Sequence, residues 1–220
     1  MNPPSPLMPS WAGVVLAFAL LILLAWGLWR WAISRKVRAW KAVAQDLAGT
    51  LELVQGKMCV TGRYRGRAAF LSEAVSFEDA VAYAHTCGAL EVTNPARAVL
   101  GLRRKSLLEE YTQRKEPVAI DTGDPEFGRT FLLVLTVPEH AGTLLSDEVR
   151  KRLKKFSDVE IYLRGTRLEW RRAGTVGSAR EMITLFDIIA DIADVLESLP
   201  PRTVSLSEAL AEEALIKQGI

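Results

Sequence analysis

The sequence is poor in the residues from which most catalytic and metal sites are built. It has two cysteines, Cys59 and Cys87, and two histidines, His85 and His140, in 220 residues. One cysteine pair cannot form a disulfide framework, and both cysteines lie in apolar, strand-like runs, so we expect buried free thiols. These four side chains also fall short of a convincing zinc ligand set. His85 and Cys87 would share one face of a strand, but no third group is placed to orient them as a nucleophile pair.

Charged residues are also missing from the beginning of the chain. The first ten residues carry no charged side chain, and neither does the 19-residue run from Trp11 to Trp29, WAGVVLAFALLILLAWGLW. At about 1.5 Å per residue this run spans roughly 28 Å as a helix, close to the thickness of a bilayer's hydrocarbon core. Trp11 marks one end, and Trp26, Trp29 and Trp31 mark the other, as in an aromatic belt. We predict a transmembrane helix over residues 11–31, which contacts the lipid bilayer.

Basic residues follow this run, and acidic ones are absent until Asp46. A cleaved signal peptide would have a basic segment before the apolar run, a shorter apolar run and a small-residue cleavage site, so we expect an uncleaved signal anchor. The positive-inside rule places residues 1–10 outside as a short extracytoplasmic tail. It places the rest of the chain in the cytoplasm, so we expect a single-pass protein of the cell inner membrane with its soluble domain on the cytoplasmic side. The five basic residues are Arg30, Arg35, Lys36, Arg38 and Lys41.

Residues 32–48 predict a basic juxtamembrane helix. Ile33, Val37, Trp40, Ala44 and Leu47 fall on one apolar face, and Gly49 is placed to end the helix at its C′ position. The basic side chains lie largely off that stripe and are candidates for contact with anionic lipid headgroups, or are simply a charged stop-transfer flank. The four candidates are Arg35, Lys36, Arg38 and Lys41.

After residue 49 the period of the apolar residues changes from that of a helix to that of strands. Short β-like runs separated by glycine turns, with helices grouped towards the end, predict an α+β domain over residues 49–200 with a mostly antiparallel sheet. A last helix is expected within 201–220, opened by Ser205 and Glu208 as a capping box. Expected strands cover 51–54, 58–64, 68–75, 80–93, 96–103, 129–137, 159–164 and 167–172. Expected helices cover 146–156 and 178–198, and 106–115 is a short helix or a loop.

The charge of the domain excludes one class of partner. Residues 42–220 carry 23 Lys and Arg against 26 Asp and Glu. Proteins that bind nucleic acid usually carry a basic surplus on the binding domain itself. We therefore expect no nucleic-acid partner.

Acidic residues occur in two patterns that resemble metal sites. Asp121, Asp124 and Glu126 are oxygen donors, but Gly123 and Asp124-Pro125 are turn residues, and the spacing is not that of a calcium loop. We interpret the segment as a turn followed by two core aromatics, Phe127 and Phe131.

The second pattern is a row of aspartates. Asp187, Asp191 and Asp194 recur at i, i+4 and i+7, which we interpret as the solvent face of an amphipathic helix. We predict no metal and no cofactor.

Arginines cluster at two predicted hairpins. Such tips can bind phosphate groups of lipids or nucleotides, although charge on exposed strands also protects sheet edges from association. The first cluster, a candidate contact for an anionic ligand or lipid, is Arg63, Arg65 and Arg67; the second is Arg164, Arg167, Arg171 and Arg172.

Short motifs relate the chain to other proteins. It reads VTGRYRGRAAFL from Val60, DTGDPEFGRTF from Asp121 and LLSDEVRKRL from Leu144. Over residues 36–198 it resembles a loose group of uncharacterised bacterial membrane-anchored proteins with a G-x-Y-x-G-R hairpin and a GDPEF segment. The resemblance implies an architecture but no catalytic residue, because the group has no agreed activity. Gly128 departs from the group, which usually has Asp after the phenylalanine.

Two functions agree with these observations. The first is a non-enzymatic, membrane-tethered interaction or scaffold module with a protein partner, since no catalytic motif stands out. The alternative is an enzyme of unrecognised type that acts on a membrane-proximal anionic substrate through the arginine clusters. A deep cleft lined by Arg63, Arg65 or Asp124 would favour the enzyme.

Overall fold

The computed structural model describes residues 10–78, 81–105, 120, 122–156 and 158–203, and it begins with one long helix. α1 (Ser10–Asp46) has 37 residues and runs without a break across the predicted boundary between residues 31 and 32. From Trp11 to Ile33 its large apolar side chains are 43% to 67% exposed, whereas Trp40, Val43 and Leu47 are completely buried. The last turns of α1 are therefore part of the core of the domain.

The described residues of the domain form one antiparallel sheet of eight strands. The strands are β1 (Thr50–Val54), β2 (Lys57–Tyr64), β3 (Arg67–Glu78), β4 (Val81–Glu91), β5 (Leu100–Arg104), β6 (Phe131–Leu135), β7 (Val159–Arg164) and β8 (Arg167–Ala173). Their order in the sheet is β1-β2-β3-β4-β8-β7-β5-β6. The first four strands follow each other as a meander, and β7–β8 is a hairpin that pairs with β4 through β8. β5 lies between β7 and β6.

Three short helices and one long helix follow β5 in the described residues. α2 (Pro125–Thr130), α3 (Ala141–Leu144) and α4 (Asp147–Leu153) are short, and a 3₁₀ turn at Pro138–His140 precedes α3. α5 (Ala179–Ser198) is capped by the Ser178 hydroxyl and buries Leu185, Phe186, Ile189 and other apolar residues. It contacts α1, β4 and β8, so α5 and the end of α1 cover the same face of the sheet.

The predicted fold class, an N-terminal apolar helix followed by an α+β domain with an antiparallel sheet and C-terminal helices, is confirmed. Several expected boundaries were wrong; the helix expected over 146–156, for example, covers only Asp147–Leu153. The strand expected over 129–137 starts only at Phe131, because Asp124 caps a helix that holds residues 125–130. The strand expected over 96–103 starts at Leu100, because Asn94 accepts and donates hydrogen bonds with the Ala98 backbone and keeps the chain turned. The strand expected over 68–75 extends to Glu78, and the one expected over 80–93 covers Val81–Glu91.

The end of α1 corrects another expectation. The residue with left-handed backbone is Ala48, at φ 46°, and not Gly49. The Gly49 N–H donates to the Ala44 carbonyl at 2.8 Å and the Ala48 N–H to Gln45 at 3.0 Å, as in a Schellman motif with Ala48 at C′. The expected elements at 106–115 and within 204–220, together with Asp121, lie outside the described residues.

Candidate functional site

The most extensive polar assembly among the described residues joins α5 to the β2–β3 hairpin. Asp187, Asp191, Asp194 and Glu197 recur along one face of α5. Three arginines from two other elements reach them, so the acidic stripe and the first arginine cluster, far apart in sequence, meet. We call this assembly the Arg–Asp cluster; its members are Arg65, Arg67, Arg152, Asp187, Asp191, Asp194 and Glu197.

Arg65 occupies the tip of the hairpin. Arg65-Gly66 is a two-residue turn in which both residues have positive φ, 45° and 84°, a conformation that favours Asn or Gly at the first position. The Arg65 guanidinium donates to Asp187 and to Asp191, both at 2.6 Å. The neighbouring Tyr64 hydroxyl also donates to Asp187, at 2.7 Å. These contacts compensate for the strained backbone of Arg65.

Arg67 and Arg152 complete the cluster. Arg67 binds Glu197 through two nitrogens, at 3.0 and 2.7 Å, and Asp194 at 2.6 Å. Glu197 also accepts the Thr93 N–H at 3.2 Å. Arg152, on α4, donates to Asp191. The cluster thus connects the β2–β3 hairpin, α4, α5 and the end of β4.

The protonation of these groups follows from their contacts. The hydrogen bond from Arg67 lowers the pKa of Glu197. Burial opposes ionisation of Asp191, but hydrogen bonds from Arg152 and Arg65 outweigh it and lower the pKa of that carboxyl. Burial and the hydrogen bond to Asp187 raise the pKa of Tyr64 to about 12. At neutral pH the carboxyls of Asp191 and Glu197 are therefore ionised and bound by arginines.

This geometry changes the interpretation of both sequence patterns. Asp187 and Asp191 are 33% and 32% exposed and ion-paired, so the acidic stripe is more than a solvent face. An anionic ligand at Arg65 or Arg67 would have to displace carboxylates that are already bound. Arg63 lies beside the cluster and donates to the Gly66 carbonyl at 2.8 Å. Binding of a ligand by these three arginines stays a prediction. The opposite charges of the first arginine cluster and the aspartate stripe were the sequence signal that could have suggested their pairing.

The basic residues that follow the apolar run are placed differently from one another. Lys36 forms an ion pair with Glu73 of β3 at 2.5 Å, Arg35 lies over the Trp31 ring at 5.5 Å, and Arg38 donates to the Ser34 carbonyl. The Lys41 side chain is exposed. Contact with lipid headgroups stays a prediction for all four, and Lys36 is the one whose charge is already paired.

α1 is joined to the sheet by a close backbone contact that the sequence did not reveal. A Cβ on Gly62 would lie 2.4 Å from the Leu47 carbonyl oxygen, and one on Gly49 would lie 2.1 Å from the Thr61 oxygen. The Arg63 N–H donates to that same Leu47 carbonyl at 2.6 Å. Only glycine at both positions allows the chain leaving α1 to approach β2 so closely. The joint between α1 and the sheet is therefore rigid.

Asp124 is the N-cap of α2, where the turn residues had predicted a turn. The Asp124 carboxylate accepts the backbone N–H groups of Glu126 and Phe127, both at 3.0 Å. It also lies 3.0 Å from Lys154 Nζ. The Phe127 N–H, followed by Lys154, lowers the pKa of Asp124. Phe127 and Phe131 are 1% and 2% exposed and stack at 4.6 Å, so their predicted role in the core is confirmed.

The second arginine cluster and the thiols are likewise engaged. Arg171 lies 2.5 Å from Glu169, and Arg172 pairs with Asp158 at 2.9 Å and Glu181 at 2.6 Å. Cys59 and Cys87 are free, as expected, but both are half-buried and not fully buried as predicted. Burial raises the pKa of Cys87 to about 11, which keeps this thiol protonated and a poor nucleophile at neutral pH.

A metal centre is not evident in the part of the chain that the structure describes. Within these residues no three His, Cys, Asp or Glu side chains are grouped so as to hold a metal ion. A cavity of about 290 Å³ lies elsewhere, between the 3₁₀ turn and the segment after α5. Ala96, Val137, His140 and Pro200 are among the residues that line it.

Comparison with known proteins gives a distant structural similarity. No protein-family model matches this chain, and no curated protein matches it. Among solved structures, the crystal structure of the mycobacterial trehalose monomycolate transport factor A, TtfA, is similar. The two chains share 15% identity with a TM-score of 0.48, over 76% of this chain and 97% of that one. This degree of similarity carries no inference about function.

Proposed function

We propose that this chain is a single-pass membrane protein whose domain, held close to the membrane, binds a protein partner. The observation that carries the proposal is α1. It is the one helix among the described residues that is long and apolar enough to cross a membrane. Its apolar run is exposed throughout, a state that water would disfavour and a bilayer would satisfy.

The way α1 meets the domain supports a tethered module with a fixed orientation. A flexible linker after an anchor would let the domain diffuse around its attachment point. Here the same helix that carries the apolar run buries Trp40, Val43 and Leu47 in the core and ends at the Gly49–Gly62 contact. The domain thus presents one set of surfaces towards the membrane and another set away from it.

The arginine pairing supports a binding role over an enzymatic one. The alternative of an enzyme for an anionic substrate needs guanidinium groups that are free to bind it. Arg65 and Arg67 instead bind carboxylates of α5, and the cavity near His140 lies elsewhere. The basic residues after the apolar run support an orientation with the domain in the cytoplasm, and we propose the bacterial inner membrane as the location. The motif resemblance to uncharacterised membrane-anchored proteins agrees with this assignment.

The partner is sought by cross-linking in cells, followed by purification of the tagged full chain from detergent-solubilised membranes. The matched control is residues 1–48 with the same tag, which keeps the anchor and removes the sheet. We expect at least one protein to be enriched in stoichiometric amount with the full chain and not with the control. Enrichment that is equal for both, or absent from both, would contradict the binding role of the domain.

A further inference from the structure

The exposed apolar side chains of the domain are concentrated at one end of the sheet. After Ile33, the described part of the chain exposes four large hydrophobic residues. Leu53 is 74% exposed, Val54 51%, Val75 39% and Tyr83 51%. They belong to the β1–β2 and β3–β4 hairpins, which flank α1. Scattered single apolar residues on a surface need no explanation, but four at one end of two adjacent hairpins do.

Two contacts fix the direction in which this end points. At the end of α1, Leu47 contacts Gly62, and Gly62 pairs with Ala69 of β3. Eleven residues earlier in α1, Lys36 contacts Glu73 of β3. The N-terminal direction of α1 is therefore the C-terminal direction of β3. β3 continues past Glu73 in the direction of the apolar run of α1.

The lengths of the two elements show how far β3 reaches. From Lys36 back to Trp31 is five helical residues, or about 8 Å. From Glu73 forward to Glu78 is five strand residues, or about 16 Å. The strands pair as far as Glu78 with Val81, so the β3–β4 hairpin reaches past the level of Trp31. The turn at Gln55-Gly56 lies three to four residues beyond Cys59, which pairs with Ser72, so it ends near the same level.

We infer that this end of the domain is a membrane-contacting surface, in which Leu53, Val54, Val75 and Tyr83 insert between the lipid headgroups. This rests on the proposed anchoring of α1, because Trp31 then lies at the membrane interface. Aliphatic side chains and the amphipathic tyrosine ring suit this region. Lys57, next to the β1–β2 turn, suits anionic headgroups. Glu73, the acidic residue of β3 nearest to this end whose contacts are described, is paired with Lys36.

A two-stranded hairpin also needs such a contact. β2 pairs with β3 only as far as Ser72 and β8 pairs with β4 only from His85. Among the described residues, β3 and β4 beyond those positions pair only with each other, and an isolated hairpin is marginally stable in water. A bilayer surface covers its apolar side chains and stabilises the pair.

The test measures the depth of single positions in the full chain. Cys59 and Cys87 are replaced by alanine, and a fluorophore is attached at Leu53→Cys, Val75→Cys or Tyr83→Cys. The protein is reconstituted in vesicles of phosphatidylethanolamine and phosphatidylglycerol that contain lipids with a nitroxide at the headgroup or on the acyl chain. Thr166→Cys, in the exposed β7–β8 turn at the opposite end of the sheet, is the matched control. Leu21→Cys reports the apolar run of α1.

We expect the headgroup nitroxide to quench most of the fluorescence at positions 53, 75 and 83 and little at 166, with aqueous iodide showing the reverse order. Quenching by iodide and not by lipid at the three positions overturns the inference. Protection from both quenchers also overturns it, since it indicates a protein contact. If Leu21→Cys is quenched by acyl-chain nitroxide, anchoring holds whatever the three positions show; if it is not, the proposed function fails. Should the cysteine-free background unfold, a fluorescent amino acid introduced at the same positions of the native chain gives the same readout.

Discussion

The joint between α1 and the sheet gives the most demanding prediction, the effect of Gly62→Ala. The added methyl group would lie 2.4 Å from the Leu47 carbonyl oxygen and 2.9 Å from Gly49 Cα. Both neighbours are backbone, so neither can rotate away. The end of α1 must move by about 1 Å, which is overpacking and costs about 1–3 kcal/mol.

The same movement lengthens the hydrogen bond from the Arg63 N–H to Leu47, now 2.6 Å. Loss of such a bond costs about 1 kcal/mol. The expected destabilisation is therefore about 2–4 kcal/mol, a large share of the 5–15 kcal/mol that holds a domain folded. Gly128→Ala is the matched control, because a Cβ at Gly128 meets nothing within 4 Å and alanine favours the helix α2.

The assay is limited trypsin digestion of the full chain in detergent micelles, together with its thermal unfolding. Arg35, Lys36, Arg38 and Lys41 are trypsin sites in the part of α1 that docks on the domain. Docked helix resists cleavage because a protease needs extended backbone. We expect Gly62→Ala to lower the melting temperature and to speed cleavage at these sites, and Gly128→Ala to do neither. If both variants digest and melt like the wild type, the rigid joint does not exist.

Three further outcomes are expected. Phe131→Ala should lower the free energy of unfolding in urea by about 3–5 kcal/mol, because Phe131 is buried against Phe127. Asp124→Ala should lower it far less, and divalent cations should stabilise neither variant. A larger loss of stability for Asp124→Ala than for Phe131→Ala would contradict the interpretation of Asp124 as a structural cap. The lowered pKa values of Asp191 and Glu197 mean that their stabilisation is complete above their unfolded pKa values of about 4 and is lost as the pH falls below that. Between neutral pH and about pH 3, the free energy of unfolding should therefore fall less in Asp191→Asn than in the wild type. An equal fall with pH in the two proteins would contradict a stabilising role of the Arg–Asp cluster. Without reductant, denatured protein should be alkylated at both cysteines, while native Cys87 should react slowly because burial raises its pKa to about 11; a lack of label after denaturation would indicate a disulfide.

Local signals in the sequence were sufficient to predict the elements that depend on neighbouring residues. The hairpins follow from Gln55-Gly56 and Arg65-Gly66, whose glycines supply positive φ. α5 follows from its apolar period and its Ser178 cap. The aromatics after Asp124 were placed in the core correctly, although Phe127 lies on a helix that the strand prediction overlooked. A carboxylate before proline can begin a turn or cap a helix, and the sequence did not distinguish the two.

Features that depend on distant residues were not predictable. Arg65 and Asp187 are 122 residues apart in sequence, and each of their patterns was interpreted as a separate charged surface. The position of β5 between β7 and β6 depends on pairings across the whole domain. Gly49 and Gly62 each resembled ordinary turn or strand glycines, and only the approach of α1 to β2 shows why a side chain is excluded at both.

The central claim, that residues 11–31 hold a cytoplasmic domain at the membrane, is tested most directly by trypsin digestion from each side of the bacterial inner membrane. Tagged full chain is digested in intact spheroplasts and in inverted membrane vesicles, and fragments are assigned by mass. The account predicts that the domain is cleaved only in inverted vesicles, and that a fragment containing the apolar run of α1 stays in the membrane pellet after an alkaline wash. Cleavage of the domain in spheroplasts, or release of the uncut chain by the wash, would contradict it.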